Sequence, residues 1–128
     1  MNAELRGRVI ARAEGRCEYC RLSQDRVPLA FHVEHILPRQ HGGPTVFENL
    51  ALACGNCNQR KGPNLTGLDP DTGELCRLFH PRQDEWSAHF NRSGGLILGI
   101  SPTGRTTAWL LHMNSELMRE RRSKDQPG

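Results

Sequence analysis

Aromatic residues are scarce, lysine is nearly absent, and no long apolar run occurs. Seven aromatics in 128 residues, with 36% hydrophobic residues overall and a mean hydropathy of −0.62, exclude a single large oily core. A chain of this length suits one domain, taken here as residues 1–128, and something besides apolar burial must help to hold it. No stretch approaches the ~18 apolar residues of a membrane span. The first fifteen residues, MNAELRGRVIARAEG, are amphipathic and lack the apolar core of a secretion signal. A membrane or exported protein is therefore not expected, and a cytoplasmic one is. A strong basic excess is also missing: 17 cations against 14 anions leave +3, short of a passive DNA-coating protein. Disorder is disfavoured, because charged and apolar residues interleave throughout. Fifteen of the cations are arginine, which is neutral for the argument, since codon bias produces the same skew as phosphate recognition.

Cysteine is what the sequence does have. Four of the five cysteines form Cys17-Glu-Tyr-Cys20 and Cys54-Gly-Asn-Cys57, 33 residues apart. Two residues between thiols let both sulfurs turn onto one ion, and two such knuckles make a closed tetrahedral zinc site. Such a site is structural, leaves no position for substrate, and contributes folding free energy. Disulfides and a redox C-x-x-C are the alternatives; the first needs an oxidising compartment, the second a βαβ context absent here. Cys76 stands alone and reads as a half-buried small hydrophobe.

Periodicity orders the rest. Residues 3–14 place Leu5, Val9, Ile10 and Ala13 on one helical face, ended by Gly15. Residues 29–37 (LAFHVEHIL) read as a strand stopped by Pro38, and 49–53 (NLALA) as a second short strand. A helical stretch follows, NCNQRKG, closed by Gly62-Pro63. Residues 64–74 read as loop. Strands are expected around 75–79 and 96–100, with 86–90 a candidate third between them. Ser101-Pro102-Thr103 starts a helix carrying Ala108, Leu110, Leu111 and Met113, and 119–128 should fray.

The strand-strand-helix segment carries Glu34-His35-Ile36-Leu37-Pro38, His41-Gly42-Gly43, Asn49-Leu50 and Cys57-Asn58-x-x-Lys61-Gly62. Over about residues 17–62 this series resembles the HNH endonuclease motif. The resemblance implies an α+β fold: a small zinc-stabilised ββα-metal unit of the HNH (His-Me finger) kind. Around it stand an N-terminal helix and a C-terminal β-hairpin plus helix, the extension covering about 73–118. It implies a metal-dependent endonuclease acting on DNA, with RNA left open. His35 falls on the general base, Glu34 and Asn58 on the ligands of one Mg2+ or Mn2+, and Asn49 on the loop brace that orients the base. Lys61, and more evenly Arg60, fall where a phosphate would be met.

The residue chemistry agrees. An imidazole can take a proton from water near neutral pH, and a hard dication prefers carboxylate and amide oxygens. Two departures from the pattern stand out: Glu34 where aspartate is common, and Asn58 where histidine is common, which favours Mg2+ or Mn2+ over a softer ion. Neighbours on an ideal strand point to opposite faces, so Glu34 and His35 can cooperate only if the strand twists or ends there. His32 is a tentative further metal ligand and His41 a loop residue near phosphate. His80, His89 and His112 read as structural, Trp86 and Trp109 as core anchors. Arg105, Arg119, Arg121 and Arg122 are candidate DNA-backbone contacts, with a solvated basic face as the alternative. The alternative function is a zinc-stapled nucleic-acid-binding module without activity. No small-molecule cofactor is expected, and oligomeric state is unreadable.

Overall fold

The computed structural model describes residues 1–125, so the fraying expected at 126–128 lies outside the described residues. Helix α1, Ala3–Arg12, starts where the Asn2 side chain accepts the Leu5 amide. It buries Val9 and Ala13 as its periodicity demands. The edges of that buried face are tied down by cations: Arg6 donates to the Phe31 carbonyl, and Arg12 to those of Phe47 and Leu50. The Arg8 and Arg12 guanidinia also lie 4.2 and 3.9 Å from the Phe47 ring centre.

The central unit is a two-stranded antiparallel sheet followed by a helix. Strand β1, His32–His35, pairs with β2, Leu50–Ala53, in the register His32↔Ala53 to His35↔Leu50. β1 is shorter than the apolar run suggested, because Leu29 is exposed and the chain enters the sheet only after Phe31. β2 is buried along its whole length, as a continuous Leu-Ala-Leu-Ala run requires. Helix α2, Gly55–Lys61, follows at once and ends at Gly62, as expected.

The C-terminal part departs from expectation in three places. Residues 66–68, read as loop, form strand β3 (Thr66–Leu68), antiparallel to β4 (Leu75–Arg77). Gly67 hid it. A Cβ there would stand 3.0 Å from the Thr106 Cγ2, so this glycine marks close helix approach rather than a turn. Residues 86–90 are not a strand: Trp86–His89 makes one turn of helix, α3, and Phe90 opens β5 (Phe90–Ser93), which pairs with β6 (Leu96–Gly99). Two hairpins therefore stand where one was expected. Helix α4, Pro102–Leu110, starts as the Ser-Pro-Thr signal says, with the Ser101 hydroxyl accepting the Gly104 amide at 2.9 Å. A further helix, α5 (Glu116–Ser123), takes in residues 119–123 of the stretch expected to fray. It is docked by Met118 and by fully buried Arg122, which donates to the Gly95 and Met113 carbonyls. One apolar cluster runs from Val9 through β2 and the four cysteines to Phe90, Ile97, Leu111 and Met118. No helix among the described residues is long and apolar enough to cross a membrane.

Candidate metal centre and nuclease site

The two knuckles come together. Cys17, Cys20, Cys54 and Cys57 are buried, and their sulfurs lie within 4.8 Å of one another. The Cys20 and Cys54 sulfurs stand 3.8 Å apart, the edge expected of a tetrahedron with Zn–S bonds of about 2.3 Å. Each knuckle is pre-shaped by an amide aimed at a sulfur: Cys20 N to Cys17 Sγ at 3.5 Å, and Cys57 N to Cys54 Sγ at 3.4 Å. Burial pushes the Cys17 thiol up, the neighbouring sulfurs push Cys57 up, and contact with Cys17 foremost pulls Cys20 down. Four thiols so placed cannot all ionise without a cation among them, and the donor set fits zinc. Cys76 is half-buried and apart from this cluster, as expected.

Glu34 and His35 obey the strand alternation and diverge. Glu34 turns inward and is 7% exposed. Its Oε1 accepts the phenol of Tyr19, and its Oε2 lies 3.2 Å from Lys61 Nζ. Burial pushes the Glu34 carboxyl up, while the Lys61 charge and the Tyr19 hydroxyl pull it back. Lys61 is 2% exposed and also donates to the Ile36 carbonyl at 3.2 Å. Its ammonium thus meets Glu34 rather than solvent, because the last turn of α2 sends it back under β1. Arg60 does stay exposed.

His35 faces outward, half-buried, with Nε2 2.8 Å from the Thr45 hydroxyl. Partial burial, the Arg39 charge and the N-terminal amine together lower its pKa, which favours the neutral imidazole. The loop that brings Thr45 to it is built on Asn49. The Asn49 Oδ1 accepts the Leu37 amide at 2.9 Å, and its Nδ2 donates to the carbonyls of Leu37 and Pro44 at 3.1 and 2.9 Å. Gly43 completes the bracket, because a Cβ there would lie 1.7 Å from the Leu37 carbonyl oxygen. Gly43→Ala should therefore open the 37–45 loop, costing roughly 1–3 kcal/mol by overpacking. Thermal melting with zinc determination checks this: a lower melting point with zinc retained is expected, and an unchanged one would count against the bracket.

Asn58, on the second turn of α2, is half-buried. With Glu34, His35, Arg39 and Gln40 it lines one open depression of about 510 Å³. Arg39 forms no ion pair among the described residues. His32 is not brought here. It borders a different cavity of about 150 Å³, beside Leu29, Phe31 and Asn56. His41 is exposed at the end of a one-turn 3-10 helix, Arg39–His41, with Nε2 3.2 Å from the Pro63 carbonyl.

Other candidate residues sort by their partners. His80 accepts the amides of Arg82 and Gln83, and His89 meets the Ser101 hydroxyl at 2.6 Å, so both brace turns. His112 is exposed and edge-on to Trp109. Trp86 anchors the fold, donating its indole N–H to the Tyr19 carbonyl at 2.8 Å and lying against Phe90. Trp109 does not: it is 62% exposed, on the outer face of α4. Of the four C-terminal arginines, Arg105 is engaged by Asp69, which it holds down to about 2, and Arg122 is buried. Arg119 is exposed and Arg121 half-buried. Tyr19, Thr45 and Arg39 were not singled out from sequence. Each neighbours a recognised motif, but none matches a pattern of its own.

A sulfur-clipped ββα unit with an outward histidine and an asparagine-braced loop is consistent with a small zinc-stabilised ββα unit of the HNH kind. Residues 17–64 match the model of the family described as HNH endonuclease. Over 104 residues the chain is 28% identical to the Septu protein PtuB of Bacillus thuringiensis. That similarity covers 80% of this chain and 38% of the relative, so the chain spans well under half of the protein it matches. No solved structure matches it.

Proposed function

We propose that the chain is a metal-dependent endonuclease that hydrolyses DNA phosphodiester bonds, with His35 as general base. A single Mg2+ or Mn2+ would be held by Glu34 and Asn58. One observation carries this reading: Glu34, His35 and Asn58, from two different elements, border the same open depression. Their carboxylate and amide oxygens suit a hard dication. Bound there, the ion would neutralise charge developing on the leaving 3′ oxygen.

The residues themselves do the rest. In the tautomer whose Nε2–H donates to Thr45 Oγ1, the Nδ1 lone pair of His35 is free to take a proton from water. Asn49 holds the loop that fixes this orientation. Lys61 acts through Glu34 rather than on a phosphate, while Arg39 on the rim meets the backbone of the nucleic acid. Removing Arg39 should weaken DNA binding uniformly across sequences and flatten the salt dependence of log Kobs by about 0.9. A filter-binding or anisotropy series over salt concentration measures it; an unchanged slope removes Arg39 from the interface.

The inward Glu34 favours one second reading, a zinc-stapled nucleic-acid-binding module without activity. Zinc-loaded protein given supercoiled plasmid or RNA, with Mg2+ or Mn2+ added or withheld, separates the two. Cleavage that needs the added ion and is lost in His35→Ala supports the nuclease. Binding without cleavage at any metal concentration supports the module.

A further inference from the structure

Tyr19 is the sole tyrosine of the sequence and stands between two zinc-ligand thiols, in Cys17-Glu18-Tyr19-Cys20. It has no solvent exposure. Its ring meets Phe79 edge-on with centroids 6.3 Å apart, its carbonyl accepts the Trp86 indole, and its hydroxyl donates to Glu34 Oε1. The phenol is therefore pinned at both ends. The other carboxylate oxygen, Oε2, faces Lys61 Nζ at 3.2 Å, on the helix that begins at Cys54. Of the two groups that grip Glu34, Tyr19 thus lies inside the first knuckle, and Lys61 ends the helix that the second knuckle opens. Lys61 has a second acceptor in the Ile36 carbonyl, so it stays hydrogen-bonded if Oε2 turns away.

We propose that Tyr19 is a positioning residue for divalent-cation binding: its phenol fixes Oε1 of Glu34, so that Oε2 alone turns between Lys61 and the depression shared with Asn58. The inference rests on the nuclease reading of that depression and adds to it a mechanical link from the zinc clip to the second metal. A glutamate side chain has three free torsions. Clamping one oxygen removes most of that freedom before the cation arrives, and partners of this kind are worth about 10–100-fold in metal affinity.

A single tyrosine permits a direct test. Protein grown with 3-fluorotyrosine carries one fluorine, at position 19, and gives one 19F resonance from the intact zinc-loaded chain. Titration with Mg2+ alone should shift that resonance saturably, and Asn58→Ala should abolish the shift. In parallel, Tyr19→Phe should keep its zinc. Its half-saturating Mg2+ concentration for plasmid cleavage should rise about tenfold, with kcat at saturating Mg2+ within about threefold of wild type. The same substitution in a Glu34→Gln background should change neither the zinc content nor the residual Mg2+ dependence. A resonance indifferent to Mg2+, or a Tyr19→Phe variant with unchanged Mg2+ requirement, overturns the proposal. If Tyr19→Phe loses zinc or fails to fold, the fluorine titration decides alone. A saturable shift in a protein that cuts no nucleic acid upholds the role of Tyr19 and sinks the nuclease reading. A silent resonance in an Mg2+-dependent nuclease does the reverse.

Discussion

His35→Ala is expected to lower DNA cleavage by about 10²–10⁴-fold, the usual contribution of a positioned general base, while leaving zinc content and melting near wild type. The asymmetry follows from where the side chain sits. His35 faces away from the core, and its imidazole is hydrogen-bonded to the hydroxyl of exposed Thr45. Truncation therefore opens no cavity and strands no buried polar group, the two routes by which a single substitution is strongly destabilising. Its strand pairing with Leu50 is backbone-borne and survives. Cleavage assays on zinc-quantified protein in Mg2+ and in Mn2+, with DNA binding measured on the same preparation, separate lost chemistry from lost affinity. Full activity in the variant would place the base elsewhere. Binding retained with cleavage gone is the expected result.

Cys54→Ser should have the opposite signature, unfolding the chain. Cys54 supplies one of the four clustered sulfurs, and its Sγ also caps α2 by accepting the Cys57 amide. Serine is itself a good cap, so the substitution leaves the helix start provided for and isolates the loss of the metal ligand. Structural zinc sites in small domains contribute about 10–16 kcal/mol of apparent binding free energy at pH 7, while whole domains are stable by about 5–15 kcal/mol. With seven aromatics in the chain, the core has little reserve to offset that loss. Circular dichroism together with a colorimetric zinc assay reads both quantities. A zinc-free variant with native helix content and cooperative melting would refute a structural role for the metal.

Much of the ββα unit was legible because its signals are local. Amphipathic spacing gave α1, the Leu-Ala-Leu-Ala run gave β2, and Gly62-Pro63 marked the end of α2. The C-terminal part was less so, since its elements depend on partners distant in sequence. β3 exists because Gly67 lets the strand press against Thr106 and Leu110, and α5 exists because Arg122 finds carbonyls at Gly95 and Met113. Neither contact has a sequence signature. An arginine-rich tail and a glycine in a polar stretch read as solvated until their partners are known. Trp109 erred the other way: composition argued for burial, while its position on α4 put it outside.

The sequence by itself determined the chemistry available: four thiols spaced for zinc, and a histidine, a carboxylate and two asparagines in fixed order along strand, strand and helix. Tertiary structure decided what each of those groups meets. Strand alternation sends Glu34 inward and His35 outward, and only the packing of the first knuckle and of α2 against β1 supplies Tyr19 and Lys61 to the inward carboxylate. A buried charge must find its counter-charge and hydrogen bonds wherever the fold brings them. Here they come from 15 residues before Glu34 and 27 after it, separations that motif spacing does not encode.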